Sequence, residues 1–383
     1  MGLFDFLKKT SKQPQTPTKQ NVGGGFVTPI TPKVTVSIST PKPPTQAELD
    51  AEVIPVETRI KTAIASKQGL YPHEILVLDY AHTFYTSGNS FQGFWWYRYG
   101  VRDVQAVLNS LVERGFLQIG DLRAALDKQT AAAIKEALKT HEIKTTGKKA
   151  DLVQRALDEI PEAELNRSFP KRTYMPTEAG KTAITEEAYV PYIHRHGMED
   201  LDIWSMNKLM HTEPYMSYRD KIWGYLNQQS MKHFSVGNFG LYRNCRFQMS
   251  QFLREENKLK DSLAMLAEVV FYDLSGAPNN YNPQFLEIYA DGFFPYENSL
   301  AATAPGIIAA IEACQKELGY TNEELVEALK ERMSKLSAPI QLFTVDECAK
   351  IVLMECEKDV EGLTKIYAKA KRTFKQKYPN IKV

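Results

Sequence analysis

Residues 134–157 read IKEALKTHEIKTTGKKADLVQRAL, and this stretch determines how the chain around it is expected to fold. Apolar residues lie on one side of each of two predicted helices, so the helices can bury them against each other. The pair Thr146-Gly147 separates the two halves, and its glycine permits a tight turn. The apolar residues are Ile134, Leu138 and Ile143 in the first half and Leu152, Val153 and Leu157 in the second.

Lysines collect around this predicted turn. Between Lys128 and Asp158 the sequence has seven basic residues and four acidic ones, an excess of three positive charges. Lys148 and Lys149 stand at the beginning of the second helix, where free backbone N–H groups and the helix dipole favour an anion. The pattern therefore predicts a place where a phosphate group can bind.

The order of helix, short extended link, Gly-Lys-Lys turn and helix resembles the SAP domain without a gap. Members of that family bind double-stranded DNA, often with a preference for A·T pairs, and some engage RNA. Residue by residue, the resemblance implies nucleic-acid contacts from Lys135, Lys139, Lys144, Thr146, Gly147, Lys148, Lys149 and Arg155. Glu142 departs from the family, which usually has a glycine there to end the first helix. We expect strain at that helix end and a weaker hold on phosphate.

A second pattern surrounds this stretch. Residues 101–118, VRDVQAVLNSLVERGFLQ, have apolar side chains at spacings of three and four up to Gly115, which predicts a helix capped by glycine and followed by a strand. A second strand is predicted at residues 172–175, and Thr177 is the expected N-cap of a further helix. The run Tyr174-x-x-Thr177-x-x-Gly180 and the helix-strand order before it resemble winged-helix proteins. The resemblance implies a wing hairpin with residues 121–171 inserted at its tip, where exposed hairpin ends tolerate insertions.

The C-terminal half is predicted to be almost entirely helical. One helical hairpin, with its turn at Asn257, resembles a tetratricopeptide-type pair, and a second is predicted over residues 307–318 and 323–336. Beyond Gly362 the sequence has seven basic residues and no acidic one, and apolar residues line the opposite face of the last predicted helix. Two interpretations remain open for these cations: a solvated helix face, or a second electrostatic contact with nucleic acid or an acidic partner.

The composition limits the remaining possibilities. The 383 residues include 47 basic and 46 acidic ones, so attraction to an acidic partner must come from local clusters. Residues 1–45 are rich in Thr, Pro, Lys, Gln and Gly and predict a disordered tether. No signal peptide or membrane-spanning run is visible, so the expected location is the cytoplasm. The four cysteines show no metal-type spacing, and His194 and His196 beside Glu199 and Asp200 lack a third remote ligand.

Together these patterns predict a mainly α fold with a small β-hairpin. The predicted divisions are a tether at 1–45, a winged-helix-like domain at 46–185 with the SAP-like insertion at 121–171, and a helical partner-binding domain at 186–383. The leading hypothesis is a non-enzymatic DNA-binding accessory protein of bacterial or phage type that uses no cofactor and no metal. Its expected partners are nucleic acid, first of all double-stranded DNA, and a protein on the C-terminal domain, without stable membrane insertion. Two alternatives stay open: a protein scaffold that binds no nucleic acid, and an enzyme whose site lies in the C-terminal half.

Overall fold

The computed structural model describes residues 45–198, 200–212, 215–277, 286–294, 296 and 299–383. The chain divides into two compact units, Met1–Pro214 and Tyr215–Val383. Both are mainly helical, and the sheet in the described residues has two strands, which confirms the predicted mainly α fold with a small β-hairpin. Apart from Thr45, the predicted tether at 1–45 lies outside the described residues.

The first unit has twelve described α-helices and two strands. They are α1 (Gln46–Ala51), α2 (Val56–Arg59), α3 (Pro72–Tyr80), α4 (Phe94–Tyr97), α5 (Val104–Glu113), β1 (Leu117–Ile119), α6 (Leu122–Asp127), α7 (Ala131–Thr140), α8 (Lys149–Glu159), α9 (Glu162–Ser168), β2 (Tyr174–Pro176), α10 (Glu178–Glu186), α11 (Tyr189–His196) and α12 (Ile203–Thr212). A 3-10 turn at Ala81–Thr83 follows α3.

Helix α3 is the centre of the first unit. It begins with Pro72, as predicted, and every residue from Pro72 to Leu78 is buried. It packs against α5, α10, α11 and α12, so these helices share one core. Helices α11 and α12 belong to that core, and the first unit extends to Pro214. The division after residue 185 stays a prediction.

Strands β1 and β2 form an antiparallel pair although more than fifty residues separate them in the chain. Leu117 lies opposite Pro176 and Ile119 lies opposite Tyr174. The Gly120 N–H donates to the Thr173 carbonyl at 2.7 Å, which extends the ladder to the point where the inserted segment leaves and returns. The predicted strand pair around an insertion is therefore present, while the winged-helix resemblance stays a prediction.

The turn after β2 explains the Thr-x-x-Gly part of the sequence pattern. Thr177 caps α10, because its hydroxyl accepts from the Gly180 N–H at 3.2 Å and donates to the Gly115 carbonyl at 2.7 Å. A Cβ on Gly180 would lie 2.3 Å from the Phe116 carbonyl oxygen. Only glycine lets α10 approach the start of β1 this closely.

The second unit is a stack of helices. They are α13 (Tyr218–Ser235), α14 (Phe239–Glu255), α15 (Leu259–Ser275), α16 (Leu286–Tyr289), α17 (Pro305–Leu318), α18 (Asn322–Met333), α19 (Val345–Glu357) and α20 (Val360–Lys377), with a 3-10 turn at Ala290–Gly292. Helices α14 and α15 form the predicted hairpin around Asn257. Helices α17 and α18 were predicted to form a second hairpin, but each of them packs on α15 rather than on the other, with Thr321 as the N-cap of α18. Their buried faces belong to one hydrophobic core, which also includes α19 and α20.

No described helix combines the length and the apolar character that crossing a bilayer requires. The four cysteines are free thiols, three of them buried.

Replacing Gly180 with alanine is expected to lower the free energy of unfolding by roughly 2 kcal/mol, because the added methyl group collides with backbone that cannot rotate away. Gly224 is the matched control, since it also lies in a helix but a Cβ there meets nothing within 4 Å. Gly224→Ala should raise stability by roughly 0.5–1 kcal/mol through helix propensity. Urea unfolding measures both changes. Equal stabilisation by the two alanines would show that the close approach at Gly180 is unimportant.

Candidate nucleic-acid interface

The segment between β1 and β2 has a hydrophobic core of its own. Helices α7 and α8 face each other through Ile134, Leu138, Leu152 and Val153, all of which are buried. Ile143 and Leu157, which the sequence also assigned to this contact, are half-buried at its edge. The predicted pairing of two amphipathic helices is therefore observed.

The flanking helices α6 and α9 complete this core, and neither helix was predicted from the sequence to contribute to it. Leu126 at the end of α6 and Leu165 in α9 are buried against the α7–α8 pair, with Leu122 and Phe169 at the margins. The short helices α6 and α9 carry too few turns for a periodic pattern to reveal them.

A short loop joins α7 to α8 and is organised by two charged side chains. The Arg155 guanidinium donates to the Lys144 carbonyl at 2.6 Å and to the Thr146 carbonyl at 3.1 Å. At the other end of the loop, the Asp151 carboxylate accepts from the Lys148 N–H at 3.1 Å. Gly147 has a φ of +133°, which disfavours any side chain. The loop is thus held in one conformation at the start of α8.

The six predicted cationic contacts fall into two groups. Lys149 donates to the Asp127 carbonyl, and Arg155 is engaged with the loop and lies 4.0 Å from Glu159, so both serve to position the segment. Lys135, Lys139, Lys144 and Lys148 are exposed, and no carboxylate of the described chain pairs with them. Lys135 and Lys139 lie on one side of α7, because residues four apart are neighbours on a helix.

The remaining predicted contacts, Thr146 and Gly147, are exposed between Lys144 and Lys148. Three N–H groups in the first turn of α8 have no acceptor within the helix, as at any helix start. Exposed ammonium groups around such a helix start match the geometry that holds phosphates. One carboxylate, Asp151, opposes this arrangement, because it occupies the same first turn.

Residues 125–160 match the family model of the SAP domain. The match includes α7, the loop and α8, together with the end of α6 and the residue that closes α8. SAP domains are generally DNA-binding modules, which supports a nucleic-acid-binding role for this part of the chain. No curated protein matches the chain.

The backbone of the SAP domain is strained at Glu142. This residue has a φ of +58°, in the left-handed region where glycine is favoured, and it is the position where the family usually has glycine. The Glu142 N–H donates to the Lys139 carbonyl at 3.0 Å, so the chain must turn here to end α7. The strain expected from the sequence is therefore present in the backbone.

Glu142→Gly is expected to raise the free energy of unfolding of the SAP domain by roughly 0.5–1 kcal/mol, because glycine adopts this φ without a Cβ clash. Glu136→Gly is the control: it removes the same exposed side chain from the interior of α7 and should lower stability by about 1 kcal/mol. Hydrogen exchange of the α7 and α8 amides reports both changes. A loss of protection in Glu142→Gly would contradict the strain.

His141, next to Glu142, links α7 to α9. Its Nδ1 lies 2.8 Å from the Ala137 carbonyl and its Nε2 lies 2.6 Å from the Glu164 carboxylate. The Ala137 carbonyl and the Glu164 carboxylate both accept, so both contacts are hydrogen bonds only when the two ring nitrogens carry protons. The hydrogen bond to the Ala137 carbonyl, followed by the one to Glu164, raises the pKa of His141 above its ordinary 6.5.

A raised pKa means that folding favours the protonated ring, so this contribution to stability is complete below pH 6.5 and disappears as the pH rises through the raised pKa. We expect the α7–α9 contact to loosen as the pH rises from 6.5 through the raised pKa of His141. An NMR titration of the His141 ring together with hydrogen exchange of α9 measures this. Glu164→Gln should move the pKa down towards the ordinary value, and a His141 pKa unchanged in that variant would exclude the contact as its cause.

The SAP domain is also fixed to the rest of its unit by a contact that the sequence did not reveal. Lys128 donates to the Thr83 carbonyl, and its ammonium lies 4.6 Å from the centre of the Tyr85 ring. The ammonium of Lys171, which precedes β2, lies 5.2 Å from the centre of the same ring. Burial lowers the pKa of Lys128, which is consistent with a structural role. These partners are far apart in sequence, so no local pattern could indicate them.

The two candidate histidines make separate contacts. His194 lies between the hydroxyls of Tyr80 and Tyr99, at 2.7 and 2.6 Å, and burial lowers its pKa to about 4. His196 stacks on Tyr192 instead. Glu199 lies outside the described residues. Within the described ranges, no group of three or more His, Cys, Asp or Glu side chains is arranged to hold a metal ion.

Proposed function

We propose that the chain is a non-enzymatic DNA-binding protein whose SAP domain holds the phosphate backbone of a duplex. The observation that carries the proposal is the set of exposed lysines without carboxylate partners, Lys135, Lys139, Lys144 and Lys148, around α7, the loop and the start of α8. Phosphate contacts of this kind fix a protein on the duplex without reading its sequence.

The structure of the loop supports this role for Lys144 and Lys148 in particular. Arg155 and Asp151 hold the backbone of the loop at Lys144, Thr146 and Lys148. Little backbone freedom is then lost when the ammonium groups meet phosphates, which favours binding. The side chains themselves stay free to reach outward.

The number of cations sets the expected strength. Each phosphate contact steepens the dependence of log affinity on log salt by about 0.9 for B-form DNA, so four contacts give a slope of roughly −3.6. Binding through the SAP domain alone is then weak and sensitive to salt. A tight complex needs further contacts from the same chain or from a partner.

The test compares wild type with Lys144→Gln/Lys148→Gln by titrating a labelled duplex of mixed sequence at several salt concentrations. Losing two contacts should reduce the magnitude of the slope by roughly 1.8 and weaken binding about tenfold at low salt. Lys61→Gln/Lys67→Gln is the matched control, because both lysines are exposed in the first unit outside the SAP domain. That control should bind within about twofold of wild type, since it makes the same change in net charge without removing a lysine of the SAP domain.

Equal affinity and slope in the SAP-domain variant and the control would remove the SAP domain from DNA binding. The SAP domain would then be a protein-contact module in a scaffold. Circular dichroism of both variants excludes unfolding as the cause of a loss.

A further inference from the structure

The last helix of the second unit, α20, presents a concentration of positive charge that the SAP domain does not explain. Residues 362–383 contain seven basic residues and no acidic one. Leu363, Tyr367, Ala370 and Phe374 are buried in the core of the unit. Because the apolar side of the helix is fixed inward, its basic side chains lie on the solvent side.

Ion pairs neutralise only part of this charge. Lys365 pairs with Glu361 in its own helix, and Lys369 pairs with Glu347 of α19 at 2.8 Å. Towards the end of the helix and beyond it, Arg372, Lys375, Lys377 and Lys382 are exposed, and no carboxylate of the described chain contacts them. We call these four residues the α20 patch. Arg372 and Lys375 are neighbours on the helix surface, because they are three residues apart.

The surroundings of the α20 patch indicate what kind of partner it fits. Residues 362–383 are all described, and none of their large apolar side chains is exposed. A protein interface usually needs apolar or aromatic anchors at its centre, and a membrane-binding amphipathic helix needs a free apolar face. The α20 patch offers neither. A dense, sequence-independent array of phosphates requires only cations.

We propose that the α20 patch is a second contact for the phosphate backbone of duplex DNA, on a different unit from the SAP domain. The inference deepens the proposed function and rests on it for the identity of the partner. Two weak contacts in one chain strengthen binding, because engagement of the first raises the effective concentration of the second. The wild-type salt slope should then exceed the value that the four SAP-domain lysines supply.

The experiment uses the full chain and a labelled mixed-sequence duplex longer than about 30 base pairs, so that both contacts find phosphates. Arg372→Gln/Lys375→Gln is expected to weaken binding about tenfold at low salt and to reduce the magnitude of the slope by roughly 1.8. Lys260→Gln/Lys316→Gln is the control with the same charge change, because both lysines are exposed on other helices of the second unit. It should remain within about twofold of wild type.

Combination with Lys144→Gln/Lys148→Gln separates the two proposals. If both hold, each double variant weakens binding and the quadruple variant weakens it further. If Arg372→Gln/Lys375→Gln behaves like Lys260→Gln/Lys316→Gln while the SAP-domain variant loses affinity, the α20 inference is overturned and the proposed function stands. If only the α20 variant loses affinity, the patch binds DNA and the SAP-domain proposal fails. Unchanged melting temperatures confirm that each variant is folded.

Discussion

The pairing of β1 with β2 is the constraint on which the rest of the first unit depends. Two strands of three residues each must meet across the whole inserted segment, so the ends of that segment are brought to adjacent points. Such a short ladder is weak by itself. Helix α10 supports it, because its N-cap Thr177 donates to the Gly115 carbonyl and Gly180 lies against the Phe116 carbonyl. An insertion with adjacent ends can fold on its own core, as the SAP domain does.

Within the SAP domain, charged side chains have two distinct duties. Arg155, Asp151 and Lys149 bind backbone groups, and they fix the loop and the start of α8. Lys144 and Lys148 belong to the loop whose backbone those residues hold, and no carboxylate of the described chain pairs with the two ammonium groups. The carboxylate of Asp151 weakens attraction for a phosphate but supplies the cap that shapes the loop. The proposed phosphate contact would therefore combine a stable loop with modest affinity.

The sequence predicted much of this domain, because its information is local. Two amphipathic stripes, a glycine turn and a helix end without its usual glycine at Glu142 are all visible within a few residues, and each has its physical counterpart in the structure. The duties of Lys149 and Arg155 were not predictable, because a cation bound to a carbonyl and a free cation look alike in a sequence. The contact of Lys128 with Tyr85 and the packing of α11 and α12 on α3 were also not predictable, because they join residues that are far apart in the sequence.

A net charge of +1 makes the distribution of charge decisive for any binding to DNA. In physiological salt the field of an exposed charge decays within about 8 Å, so acidic residues elsewhere on the chain do not cancel a local cluster. Ion pairs do cancel it, since they act at contact distance, but no carboxylate of the described chain pairs with the four exposed lysines of the SAP domain or with the four cations of the α20 patch. Neither cluster alone reaches the number of phosphate contacts that sustains tight binding at that salt concentration. Under the proposal, the covalent connection of the two clusters is the physical means by which a nearly neutral chain would hold a duplex.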